Sequence, residues 1–120
     1  MSAYQVVAPA KAVSATTTTG TATFSLCTTN VFQIDNTNAT AFAYVNAFTT
    51  NNASANGFNH PNIAGQTGLS LTVPPSQSRI LVGDFAVTGG GQNVYVNYMT
   101  AASSATVHIT PISNQPQGTL

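Results

Sequence analysis

Few residues in this chain could do chemistry. Beyond hydroxyls and amides there are two carboxylates (Asp35, Asp84), two histidines (His60, His108), one thiol (Cys27) and two cations (Lys11, Arg79). A glycosidase-type pair needs two carboxylates facing one bond. Asp35 opens a turn-like Asp-Asn-Thr-Asn stretch and Asp84 follows Gly83, so each carboxylate reads as a structural group at the end of a strand. His60 lies in Asn59-His60-Pro61 and His108 within an alternating apolar run, without the His-x-x-x-His type of spacing that builds a metal site. No cofactor, metal or catalytic group is expected. A serine nucleophile would need a strained elbow, and no Gly-x-Ser-x-Gly surrounds any serine here.

Cys27 excludes an intrachain disulfide by being alone. It follows Phe24 and Leu26 with no cationic neighbour to lower its pKa, so it reads as a small core residue. Gly89-Gly90-Gly91 lacks the following lysine and helix of a phosphate cradle and reads as a turn. Nucleic acid needs a basic footprint, which Lys11 and Arg79 cannot supply. Arg79 opens an apolar run and is expected to bind backbone carbonyls, to pair with Asp84 or Asp35, or to meet another subunit.

Two basic and two acidic residues among 120 leave a formal net charge of zero. An ordinary domain has about a quarter of its residues charged. A neutral, Thr-, Asn- and Ala-rich surface favours association. The hydrophobic fraction of 42% suffices for a modest core. No apolar run reaches the length of a membrane span, and the N-terminal residues lack the basic flank of a signal peptide. Asn38-Ala-Thr40 and Asn52-Ala-Ser54 match the glycosylation pattern, a chance match in so Asn-rich a chain.

The elements that must position these groups read as all-β. Short Val-, Ile-, Phe-, Tyr- and Thr-rich runs are separated by Gly, Asn, Pro and Ser. Candidate strands cover 4–8, 21–26, 31–34, 41–48, 69–73, 79–85, 93–99 and 105–110. In the second, Ala22, Phe24 and Leu26 share a face. In the last, Ala105, Val107 and Ile109 point inward and His108 outward. These seven or eight short strands suit a small antiparallel β-sandwich or jelly roll. The expected layout is an N-terminal arm or edge strand at 1–20, a sandwich at 21–110 with a long loop at 49–68, and an extended tail at 111–120.

The strand at 41–48 is apolar on both faces. One carries Phe42, Tyr44, Asn46 and Phe48, the other Ala43, Val45 and Ala47. A sandwich sheet has one inner face, so Phe42, Tyr44 and Phe48, with Arg79, are candidate subunit contacts. In the long loop, Phe58 and His60 are the candidate binding surface.

Three motifs carry a resemblance: Tyr44-Val45-Asn46, the corner Val73-Pro-Pro-Ser-Gln-Ser78, and the ending Val107-His-Ile-Thr-Pro111. Over roughly residues 30 to 112 the chain resembles small β-sandwich virion proteins of tailed bacteriophages. The resemblance implies a non-enzymatic head decoration or cement protein, located in the virion. Its partners would be copies of itself and the major capsid protein or other virion proteins, with neither nucleic acid nor membrane. A carbohydrate- or host-surface-binding module is the alternative.

Overall fold

The structure, a computed structural model, describes residues 5–58 and 68–113. His60, most of the loop beyond Phe58 and residues 114–120 of the expected tail lie outside the described residues. The described residues hold eight strands: β1 Lys11–Ala15, β2 Gly20–Cys27, β3 Val31–Asn36, β4 Ala43–Phe48, β5 Leu71–Val73, β6 Ser78–Val82, β7 Gln92–Thr100 and β8 Ala105–Ile112. They form two four-stranded sheets, ordered β1-β8-β3-β6 and β2-β7-β4-β5.

The order has a simple origin. β1 pairs with β8, β2 with β7, β3 with β6 and β4 with β5, all antiparallel. The chain is one long hairpin of nested pairs, wrapped so that β8 also pairs with β3 and β7 with β4. That wrapping is a jelly roll, a fold shared by viral capsid domains, lectins and cupins.

Alternation builds the core between the sheets. Phe32, Ile34, Val107 and Ile109 enter from the first sheet, and Phe24, Val45, Val94 and Val96 from the second. Each such side chain contributes roughly 1.5–3 kcal/mol by leaving water. Phe24 and Phe32 meet across the sheets with ring centroids 5.6 Å apart, tilted at 48°. The short side chains of Ala43 and Ala47 flank Val45 in the same core.

Several local expectations change. The first strand is not 4–8: Val6 makes an isolated bridge to Ile112, and the edge strand is β1. Leu26 does not follow Ala22 and Phe24 inward. A bulge between Phe24 and Cys27 resets the alternation, so Leu26 is 74% exposed while Cys27 is buried. β6 stops at Val82, where Gly83 N donates to Asn30 O at 2.7 Å, short of the expected Phe85. β8 runs through Pro111 to Ile112. Pro111 suits an extended backbone, and its carbonyl accepts from Val7 N at 3.1 Å. The tail therefore does not leave the domain at residue 111.

Corners are set by side chain–backbone bonds. Asn38 Oδ1 accepts from Thr40 N at 2.8 Å and Ala41 N at 2.7 Å, closing the turn after β3. The Pro74-Pro75 corner is pinned there as well, with Ser76 N donating to Asn38 O at 2.9 Å.

Candidate functional site

The outer face of β4 is covered by the chain itself. Residues 49–58 fold into compact turns, with Asn56 N donating to Asn52 O at 2.9 Å and Phe58 N to Ala53 O at 3.0 Å. Asn56 clamps them, its Nδ2 donating to Thr50 O at 3.0 Å and its Oδ1 accepting from Thr50 Oγ1 at 2.9 Å. Phe58 thereby joins Tyr44 and Met99 in a second buried cluster, with Phe48 and Ala53 packed at its margin. Tyr44 is 1% exposed, and burial raises its phenol pKa above the ordinary value.

Two expectations are corrected by this packing. Tyr44 is not open to a subunit, and Phe58 is not an exposed aromatic platform. Burying apolar surface within one chain avoids the entropy cost of recruiting a second. Phe42, just before β4, stays exposed beside a small cleft with Ala101, Ala102 and Ser103.

The four charged residues divide into two pairs by role. Lys11 Nζ donates to Thr23 O and lies 5.0 Å from the Phe24 ring centroid, joining β1 to β2 on one side of the sandwich. Asp35 accepts from Gln33 Nε2 at 3.2 Å and from Ser78 Oγ. The other two mark the ends of β6, Arg79 within it and Asp84 beyond it. Arg79 Nη1 donates to the adjacent Ser78 O at 3.0 Å, and Asp84 is exposed just past the strand's far end.

β5 and β6 are the outer strands on the opposite side of the sandwich from Lys11. A groove of about 370 Å³ lies there, lined by Asn46, Leu69, Ser70, Leu71 and the backbone run Ile80 to Val82. Leu69 is 59%, Ile80 41% and Val82 61% exposed. Register explains the last two. Leu81 pairs with Phe32 and points into the core, so Ile80 and Val82 point out.

Of the four outer strands, three carry a device that discourages pairing. β1 has Lys11, with Pro9 just before it. β2 has the bulge at Leu26. β5 is three residues long and ends at Pro74-Pro75. β6 also carries a charge, Arg79, but beyond it runs on regularly with two outward apolar side chains, Ile80 and Val82.

A second cleft adjoins the groove through Asn46 and Leu69. Phe48, Thr50, Asn56, Asp84 and Phe85 also line it. Its volume, about 220 Å³, is below the roughly 300 Å³ of ordinary ligand pockets. Its amides are already engaged: Asn46 Nδ2 donates to Leu69 O at 2.9 Å, and Asn46 Oδ1 accepts from Ala47 N at 2.8 Å. His108 is exposed on the outer face of β8, across from Asp35. Among the described residues, no three His, Cys, Asp or Glu side chains come together as metal ligands.

The apolar edge was missed by sequence reasoning. Its signal, Ile80 and Val82 alternating with Leu81, is visible only once β6 is known to be outermost. No family model, curated protein or solved structure matches this chain.

Proposed function

We propose that this chain is a non-enzymatic structural component of a bacteriophage virion, a capsid decoration or cement protein that assembles through uncharged surfaces. The observation that carries the reading is the β6 edge: Leu69, Ile80 and Val82 stand exposed on a jelly roll with almost no charge to keep copies apart. Jelly rolls recur in viral capsids, which supports the reading by analogy of fold. The action is mechanical. Apolar and amide contacts, weak singly, are repeated by symmetry over a shell.

The test is cosedimentation of the purified chain with shells of the major capsid protein from the same genome. Saturable binding at a fixed ratio to shell subunits is expected. Failure to bind any shell form would sink the reading.

The carbohydrate-binding alternative draws on one observation, the cleft that sets Phe48 and Phe85 beside Asn46, Asn56 and Asp84. Saturable binding of a neutral glycan, abolished by Asp84→Ala, would favour it.

A further inference from the structure

We infer that β6 of one copy pairs antiparallel with β6 of a second copy about a two-fold axis. The inference deepens the virion reading and rests on its premise that the chain assembles with itself. It begins from the free edge. β6 hydrogen-bonds to β3 on one side, and among the described residues no strand pairs with it on the other. The free edge is bordered by Leu69, Ile80 and Val82.

Charge selects the occupant. Arg79 and Asp84 stand at opposite ends of this edge with opposite signs, and both are exposed. Parallel pairing with a second β6 would set Arg79 beside Arg79 of the partner subunit. Antiparallel pairing reverses the match. With Ile80 opposite Val82 of the partner subunit, Leu81 lies on the axis. Arg79 then falls opposite Gly83 of the partner subunit, one residue from Asp84 of the partner subunit. Consecutive Cα atoms lie about 3.8 Å apart, a step within an arginine's reach. The two-fold repeats the contact, so both charges are matched twice. An isologous contact of this kind needs a self-complementary patch, and β6 is one. The product is an eight-stranded sheet running β1-β8-β3-β6 into the same strands of the second copy in reverse.

The test is native mass by sedimentation for wild type, Val82→Lys, Arg79→Asp, Asp84→Arg and the double variant Arg79→Asp/Asp84→Arg. Circular dichroism and cooperative unfolding check each fold. Wild type is expected at twice the chain mass of 12.3 kDa. Val82→Lys should be monomeric. Each single charge reversal should weaken the dimer at least about tenfold by setting like charges together, and the double variant should recover most of the loss. Amide exchange on wild type gives a readout independent of any variant: protection of residues 79–82 should rise with protein concentration.

A wild-type dimer indifferent to all four variants, with no such protection, overturns the β6 contact and leaves self-assembly standing. A wild-type monomer that still binds capsid shells also overturns it, and shows that a capsid protein occupies the edge. A wild-type monomer that binds no shell overturns both the contact and the virion reading.

Discussion

Asn36 Nδ2 donates to the Val73 carbonyl at 3.1 Å, a bond from β3 in one sheet to β5 in the other. The same nitrogen donates to Ala41 O at 2.7 Å, and Asn36 Oδ1 accepts from Asn38 N at 3.1 Å. Asn36 is buried, so one amide holds the sheet-to-sheet crossing and the turn after β3 together. Asn36→Ala would remove both of these buried bonds to carbonyls, at a cost of about 2–3 kcal/mol. Urea unfolding should show the loss as a lower midpoint with an unchanged slope.

Gly91 makes a sharper case. Its φ is +81°, and a Cβ placed there would lie 2.6 Å from the backbone carbonyl of Leu26 at the β2 bulge. Backbone cannot swing aside as a side chain can. Gly91→Ala should cost about 3 kcal/mol or more, with added disorder at residues 24–27. Gly90→Ala, where a Cβ meets nothing within 4 Å, should change stability by less than about 0.5 kcal/mol. Equal effects from the two substitutions would refute the close approach at the bulge.

The buried phenol of Tyr44 ties stability to alkaline pH. Its folded pKa lies above the ordinary 10.0, so the folded chain holds this proton more tightly than the unfolded chain. The contribution is complete below pH 10. It is lost as pH rises from there through the folded pKa, because the unfolded chain ionises first. Urea midpoints from about pH 8 to 11 should fall. The fall should be shallower in Tyr44→Phe.

Cys27 is buried, with its Sγ donating to Thr29 O at 3.3 Å. A water-soluble thiol reagent should label it at a rate set by opening of the structure. Urea should speed labelling in step with unfolding. Rapid labelling under native conditions would show that the strand after the bulge is open.

How much of this was legible beforehand varies with the range of the cause. The alternation of Ala105, Val107 and Ile109 against His108 is local, and the structure keeps it. A turn here was legible for the same reason, but it starts later than Asp35, which with Asn36 stays in β3; the Asn38 carboxamide closes it on amides two and three residues on. Leu26 was misread because the bulge that turns it outward, where Leu26 takes a φ of 50°, packs its backbone against Gly91, a residue distant in sequence. Both faces of β4 were rightly seen as apolar, but a sequence cannot say whether a loop or a neighbour covers the second face. Here Phe58 covers it, which removes Tyr44 from the surface. Ile80 and Val82 gain their meaning from topology alone, because the nested hairpin sets β6 outermost.

The uneven treatment of the four outer strands limits how far growth can go. A body with two receptive borders adds copies without end and becomes a fibre. A body with one is satisfied by a single mate and has no open strand border left for a third copy. If β6 pairs as proposed, Lys11, the kink at Leu26 and the proline-stopped β5 act as chain terminators and fix the number of copies at two.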